Sequence, residues 1–445
     1  MPRGEEPVAR KARRAGPIRA KASNPAALAA LADDALIEHV QRQTFRYFWE
    51  GAHPVSGLAF DRRQGVAAPP NDLVTTGGSG FGVMALIVAV ERGWVTRAAA
   101  VDRLNRMLAV LVPATTYHGA YPHFMNGVTG ATIPFWRKDD GGDLVETSLL
   151  VMGLLCARQY FSGDAADERK ARGAIDLIWN EVEWNWYTQG GRHVLYWHWS
   201  PNNGWALDHE IHGWNECLIT YVLAASSRRY AIDPKVYHQG YASGKAFFNG
   251  KAWHGIELPL GQAYGGPLFF AHYSFCGLDP RGLKDRYADY LDLCTRHVKV
   301  NRQHCLVNPG KFAGYGAKCW GLTASDGPDG YATHAPDNDD GTISPTAAAS
   351  SLPFAPREVL ETLRGFLTRH GDRVWGRYGF VDAFNEGRGW FADTFLAIDQ
   401  GPIVVMMENH RTGLLWKLFM SVPEVQEGLR RLGFTSPRLA GGNRR

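Results

Sequence analysis

The 445-residue sequence has no long hydrophobic run, few cysteines and no strong excess of either charge. Its longest apolar segment, FGVMALIVAV at 81–90, is about half of the roughly 18 residues that a membrane-spanning helix needs, so we expect no membrane insertion. The six cysteines form no CxxC pair and no zinc-type spacing. Cys305 and Cys319 lie in sequence typical of loops and could pair in an oxidising compartment.

The net charge of +4 is concentrated at the start of the chain. Residues 1–28 hold seven Lys or Arg against two Glu, so the remainder is close to neutral and lacks the basic stripe of a nucleic-acid-binding protein. We predict a disordered basic tail at 1–28. It has no apolar core typical of a signal peptide, which favours a cytoplasmic location for the chain as given.

Apolar residues at helical spacing dominate the rest of the sequence. About twelve helices are predicted, and strand-like sequence is confined to short pieces such as 192–201. No interior stretch is typical of a domain linker. We therefore predict one domain over 29–440, an all-α (α/α)6 barrel of six helical hairpins closed in a ring. The longest predicted helices are 35–52, 81–94, 97–112, 144–161 and 167–187, and Thr96 is the expected N-cap of the third.

Long Gly-, Asn-, Asp- and Pro-rich connections separate the helix pairs, notably at 113–142 and 321–346. Loops of this length inside a compact domain are usually functional, so they predict a site at one end of the ring. A glycine-rich stretch, TTGGSGFG at 75–82, is not followed by the GK[ST] of a phosphate loop. The histidines are too scattered to nominate a metal site.

Fifteen tryptophans are the most unusual feature of the composition. A flat aromatic ring stacks well on the C–H face of a pyranose, although large helical proteins also use Trp in their cores. Clustering with His, Asn and Asp in WHWSPNNGW and HGWNE favours carbohydrate binding. Many lie outside the apolar core pattern of the helices: Trp136, Trp184, Trp186, Trp197, Trp199, Trp205, Trp214, Trp320 and Trp390.

Acidic residues are the candidates for chemistry. In RKDDGGDLVETSLL, Asp143 is a plausible N-cap with Glu146 as its capping-box partner, which is a purely structural alternative to catalysis. Asp139 and Asp140 have no such role. Glu216 is expected in the first turn of an apolar helix, where the dipole stabilises its charge while apolar surroundings raise its pKa. A raised pKa would suit proton donation.

Eight blocks, in order, resemble the glycoamylase-like domain of glycoside hydrolase family 144, the bacterial endo-β-1,2-glucanases. The resemblance extends over roughly 33–433, nearly the whole chain. The blocks are GGDLVET, LYWHWSP, GWNECLITYVLAAS, GGPLFFAHYSF, GLDPRG, WGLTASD, YGFVDAFN and AIDQGPIVVMMENHRTGLLW.

The resemblance implies an (α/α)6 barrel that hydrolyses β-1,2-glucan to sophoro-oligosaccharides without a metal or cofactor. The family's proposed catalytic acids map onto Asp139, Asp143, Glu146 and Glu216. We predict Glu216 as general acid, because the resemblance and its apolar setting agree. Relatives are thought to invert the anomeric centre, which requires a base set back far enough to admit water. Asp143 is the first choice for that base, before Asp139, Glu146 and Asp399.

The partner implied is β-1,2-glucan or its oligosaccharides, with no nucleic acid, and we expect a monomer. Transglycosylation, exo-acting release of sophorose and glucan binding without catalysis are the alternatives. Relatives are commonly exported, which leaves the location open. The substrate-binding residues predicted are Trp136, Trp186, Trp197, Trp199, Trp214, His198, Tyr273, Trp320, Asp382 and Trp390.

Overall fold

The computed structural model describes residues 24–64 and 71–439, so most of the predicted basic tail lies outside the described residues. None of the described helices is long and apolar enough to span a membrane. The α-helices are α1 (Pro25–Ala29), α2 (Asp33–Trp49), α3 (Thr76–Glu91), α4 (Arg97–Leu111), α5 (Leu144–Tyr160), α6 (Ala166–Glu181), α7 (Leu218–Ser226), α8 (Tyr290–Val307), α9 (Pro345–Ser350), α10 (Pro356–His370), α11 (Ala397–Arg411), α12 (Leu414–Met420) and α13 (Pro423–Arg431).

Six helical segments form a closed inner ring. In ring order they are α3, α5, α7, two 3₁₀ turns at Leu268–Ala271 and Ser274–Cys276, then α9 and α11, which returns to α3. The Ile219 N–H donates to Ser274 Oγ (3.0 Å), and His272 Nε2 lies 3.0 Å from Ser351 Oγ, so the short fourth segment is tied to both neighbours. The predicted (α/α)6 ring is confirmed.

The inner helices pack closely because their contact positions are small. A Cβ on Gly80 would lie 2.3 Å from the Leu149 carbonyl oxygen, and one on Gly153 would lie 2.1 Å from the Gly80 oxygen. Only glycine allows α3 and α5 to approach so closely. The glycine-rich segment 75–82 therefore opens α3, which begins at Thr76 and not at residue 81 as predicted.

Short antiparallel strands lead into the inner helices. β2 precedes α3, β5 precedes α5, β13 precedes α9 and β18 precedes α11, so these ribbons shape the end of the ring where the inner helices begin. The strands are β1 (Arg62–Gln64), β2 (Leu73–Thr75), β3 (Phe124–Asn126), β4 (Thr132–Ile133), β5 (Gly142–Asp143), β6 (Leu195–Tyr196), β7 (His198–Trp199), β8 (Glu210–Ile211), β9 (Phe248–Trp253), β10 (Ile256–Leu260), β11 (Ala324–Ser325), β12 (Ala332–Thr333), β13 (Thr342–Ile343), β14 (Trp375–Gly376), β15 (Gly379–Phe380), β16 (Phe384–Asn385), β17 (Trp390–Phe391) and β18 (Thr394–Leu396).

Most helix predictions agree with the structure, and three details are wrong. Thr96 does cap α4, accepting from the Ala99 N–H. The helix predicted to run to residue 187 ends at Glu181, and Glu216 precedes α7 instead of lying in its first turn. Cys305 lies inside α8 and not in a loop, and all six cysteines are free and buried.

Candidate active site

Acidic side chains from distant parts of the chain meet where the inner helices begin. One group, the acid-loop cluster, consists of His123, Asp139, Asp143 and Glu146 around the start of α5. Another, the aspartate pair, consists of Asp382 and Asp399 at the start of α11. Glu216, just before α7, lies within electrostatic range of the acid-loop cluster, since the charges of Asp143 and Glu146 both raise its pKa.

Asp143 is a fully buried carboxylate with four hydrogen-bond donors. It is the N-cap of α5, as predicted: its Oδ1 accepts from the backbone N–H groups of Val145 and Glu146, both at 2.9 Å. Its Oδ2 accepts from His123 Nδ1 and Trp197 Nε1, both at 3.1 Å. Four donors occupy most of the acceptor positions that a carboxylate offers, so little is left for a catalytic water.

Glu146 binds a neighbouring helix instead of completing a capping box on its own. Its Oε2 accepts from the Gly77 N–H (2.6 Å) and from Thr75 Oγ1 (3.3 Å), at the start of α3. The predicted capping box is therefore wrong: Glu146 caps the start of the neighbouring inner helix, α3. Burial raises the pKa of Glu146, and the charge of His123 opposes that rise.

His123 carries the positive charge of this cluster. Burial alone would lower the pKa of His123, but the charges of Glu146, Asp143 and Asp139 outweigh it and raise the pKa to about 10. One potential ligand atom from each of His123, Asp139 and Asp143 lies within 4.8 Å of the others, a spacing that a metal ion could use. Here an imidazolium supplies the positive charge, because Nδ1 already donates to Asp143.

Asp139 lies within hydrogen-bonding distance of His198, and one proton can lie between them. The Gly141 N–H donates to His198 Nε2 (3.1 Å), and the same Nε2 lies 3.2 Å from Asp139 Oδ1. A nitrogen that accepts from Gly141 repels a carboxylate, so this contact favours a protonated Asp139. Burial and the charge of Asp143 raise the pKa of Asp139 to about 7, which agrees. His198 itself is buried beside Asp139, and its role in binding substrate stays a prediction.

Glu216 has no role as a helix cap. The first N–H groups of this segment are taken by other residues: Cys217 N–H donates to Asn215 Oδ1 and Ile219 N–H to Ser274 Oγ, both at 3.0 Å. Among the described residues, the Glu216 carboxyl accepts a hydrogen bond only from its own backbone N–H. Glu216 is 8% exposed, and burial raises the pKa of its carboxyl to about 7. A carboxyl with such a pKa is suited to proton transfer near neutral pH.

Asp382 and Asp399 are buried against each other within hydrogen-bonding distance. Asp382 Oδ2 accepts from the Asp326 N–H (2.7 Å), and Tyr273 Oη donates to Asp399 Oδ1 (3.4 Å). No described residue donates a hydrogen bond to the other two oxygens. Burial and, to a smaller extent, repulsion between the two carboxylates raise the pKa of Asp399 well above its ordinary value, so the pair shares one proton. Asp382 is fully buried and contacts Asp399, and its role in binding substrate stays a prediction.

Two residues near the pair were missed by sequence reasoning. Arg62 binds both oxygens of Asp326, at 2.5 and 2.6 Å, and Asp61 precedes it at the start of β1. Both lie in AFDRRQG, which carries no local signal beyond an acid beside arginines. Tyr273, predicted from sequence, does reach the site, because the charges of Asp399 and Glu216 add to the rise in its pKa that burial causes.

The predicted tryptophans divide by exposure. Trp136 and Trp186 are 59% and 38% exposed, so their rings can meet a ligand, whereas Trp214 and Trp320 are buried in the core. Because a ring packed on all sides offers no face to a sugar, we expect Trp136 and Trp186, and not the two buried rings, to stack on substrate. The remaining three tryptophans are half-buried: Trp197, Trp199 and Trp390. The Nε1 of Trp197 donates to Asp143.

Comparison with known proteins agrees with this architecture. The Glycoamylase family model, described as "Putative glucoamylase", matches residues 208–423. An endo-β-1,2-glucanase structure from Chitinophaga pinensis, in complex with sophorotriose and glucose, is 50% identical, with a TM-score of 0.89 over 92% of this chain and 100% of that one. A "putative glucoamylase" structure from Bacteroides uniformis is 57% identical, with a TM-score of 0.89 over 92% and 99%.

A curated relative from Parabacteroides distasonis is 44% identical over 423 residues, which is 90% of this chain. It is an exo β-1,2-glucooligosaccharide sophorohydrolase acting at the non-reducing end. The chain spans 58% of the length of that relative. The full-length match to the Chitinophaga enzyme, together with the closed helical ring, shows that the chain belongs to glycoside hydrolase family 144, the glycoamylase-like family of β-1,2-glucanases.

Proposed function

We propose that this protein is an endo-β-1,2-glucanase that cleaves linear β-1,2-glucan with inversion, using Glu216 as general acid. The observation that carries the proposal is the Glu216 carboxyl itself: it is buried, its pKa is raised to about 7, and it caps no helix among the described residues. The 50% identity to an endo-β-1,2-glucanase over its whole length supports the substrate and the mode of cleavage.

In the proposed reaction, Glu216 gives its proton to the glycosidic oxygen as the bond from that oxygen to C1 breaks. A water molecule attacks C1 from the opposite face and loses a proton, so the new reducing end has the inverted configuration. Loss of the Glu216 proton above its pKa of about 7 would slow the reaction.

We assign the base to the aspartate pair, with Asp399 as the residue that accepts the proton from water. A buried pair that shares one proton holds a single negative charge and can take a second proton, as two neighbouring carboxyls do in aspartic proteases. Asp143, the first choice from sequence, is better suited to positioning the residues around it, because four donors already occupy its two oxygens. Asp139 and Glu146 remain alternatives for the base.

The test is incubation with linear β-1,2-glucan beside β-1,3-glucan, β-1,4-glucan and starch. The expected result is a ladder of sophoro-oligosaccharides of mixed length from β-1,2-glucan alone, with Glu216→Gln as the inactive control. Starch hydrolysis, or retained activity in Glu216→Gln, would contradict the proposal.

A second candidate is exo-acting release of sophorose, favoured by the 44% identity to the Parabacteroides sophorohydrolase. Chromatography of early products separates the two. Sophorose as the sole product from the first minutes would replace the endo proposal, whereas longer products that shorten with time support it.

A further inference from the structure

Asp61 occupies a fixed position between the acid-loop cluster and the aspartate pair. Its backbone carbonyl accepts from the Ala397 N–H (2.9 Å) and from Tyr47 Oη (3.2 Å), which anchors it at the first residue of α11. The next residue, Arg62, pairs with Leu396 in the β1–β18 ribbon. The Cα of Asp61 is therefore held rigidly beside the helix that carries Asp399.

The side chain of Asp61 is half-buried, yet no described residue donates a hydrogen bond to its carboxyl. Burial raises the pKa of Asp61, while the charges of His123 and Arg62 oppose that rise. One of these cations belongs to the acid-loop cluster and the other binds Asp326 beside the aspartate pair. The carboxyl therefore lies within electrostatic range of the acid-loop cluster on one side and of Asp326, the neighbour of the aspartate pair, on the other.

Three other acids nearby, in contrast to Asp61, do receive hydrogen bonds from described donors. Asp143 has four donors, Asp326 has Arg62 and Thr394 Oγ1, and Glu146 has the Gly77 N–H. A half-buried carboxylate without donors is unfavourable unless a ligand or water supplies them. Sugar hydroxyls are donors of the right kind, and two adjacent hydroxyls can bind both oxygens of one carboxylate.

The linkage of the glucan decides which hydroxyls are available. In a β-1,2-linked chain O1 and O2 are used in linkages, so the 3- and 4-hydroxyls are the only adjacent pair left on each ring. A β-1,3-linked chain has no such pair. We propose that Asp61 is a substrate-binding residue whose carboxylate accepts hydrogen bonds from the 3- and 4-hydroxyls of one glucosyl unit, and that it helps to select β-1,2- over β-1,3-glucan. The inference rests on the proposed function.

Binding in the absence of turnover tests it. Calorimetry of sophoro-oligosaccharides with Glu216→Gln gives the reference affinity, and adding Asp61→Asn should weaken it by about 10- to 100-fold through loss of hydrogen bonds to a charged group. Asp393→Asn in the same background is the matched control, since Asp393 is an exposed acid next to the same ribbon and should leave the affinity unchanged.

The outcomes separate the two proposals. If Glu216→Gln binds no β-1,2-oligosaccharide, the proposed function itself fails. If it binds them and Asp61→Asn binds equally well, only the role of Asp61 is overturned. In active enzyme, Asp61→Asn and Asp61→Ala should raise KM for β-1,2-glucan about tenfold or more at an unchanged unfolding temperature. A loss confined to kcat would contradict a binding role.

Discussion

Two inner helices begin with a buried aspartate, and the two differ in what surrounds the carboxyl. At α5, Asp143 receives four N–H donors, two on each oxygen. At α11, Asp399 has a weak contact from Tyr273 and a second carboxyl, Asp382, with which it shares a proton. Position at a helix start is thus not enough to identify a catalytic acid. Hydrogen-bond donors stabilise the ionised form of a carboxyl, whereas a buried carboxyl without such donors exchanges its proton more readily.

The largest effect should come from Asp399→Asn. Removing the group that accepts the proton from water should lower kcat by about 10³-fold, within the usual range for loss of a general base. The unfolding temperature should stay the same or rise, because one of two buried acids is gone. Reducing-sugar assays and thermal unfolding measure both. A near-normal kcat in Asp399→Asn would show that Asp399 is not the base, and the proposed contrast in role between Asp143 and Asp399 would be lost.

Asp143→Asn should act mainly on stability. Its amide could still cap α5 through Oδ1, but its NH₂ group would face the donors of His123 and Trp197. We expect a loss of about 2–4 kcal/mol in the free energy of unfolding, and a fall in kcat of at most about 10²-fold. Denaturant unfolding measures the first. A dead enzyme of normal stability would instead make Asp143 the base.

Asp382→Asn tests the shared proton. The introduced amide can still accept from the Asp326 N–H through its oxygen, but it removes the negative charge that helps to raise the pKa of Asp399. Asp399 should therefore lose its proton at lower pH, and the acid limb of the kcat/KM profile should move downward by about one pH unit.

The substitution leaves the other groups around the aspartate pair in place, namely Arg62, Asp61 and Tyr273. A shift of the acid limb therefore reports the loss of the Asp382 carboxyl itself. The alkaline limb should stay near pH 7, because it reports the proton on Glu216. An acid limb that does not move would give Asp382 a structural role only.

The smallest effect should come from Trp136→Ala. This ring is 59% exposed and has no packing role, so KM should rise about threefold to tenfold with stability within about 0.5 kcal/mol of the wild type. Trp320→Ala, at a buried position, is the contrasting variant and should cost about 3–5 kcal/mol of stability. An unchanged KM in Trp136→Ala would leave sugar stacking to other rings.

Local sequence patterns predicted the helices and the capping role of Asp143, because each depends on residues within a few positions. The closed ring followed from the number of helices and from the family resemblance. The partners of Glu146, Asp382 and Asp61 could not be predicted in this way. Glu146 caps a helix 69 residues away, and Asp382 meets the Asp326 N–H 56 residues away, so both contacts exist only once the ring closes.

The burial of the tryptophans could not be predicted from local sequence either. Trp136 and Trp320 both follow loop-like sequence, yet one is exposed and the other fully buried. Nothing within a few residues of either distinguishes them, because burial is decided by the helices that pack over each loop.

Azide rescue tests the assignment of acid and base most directly. In Asp399→Ala, a small anion can replace the activated water and attack C1 from the same face, so azide should restore cleavage of β-1,2-glucan and leave an α-glycosyl azide. Asp143→Ala should show no such rescue. Rescue in Asp143→Ala together with none in Asp399→Ala would contradict the account.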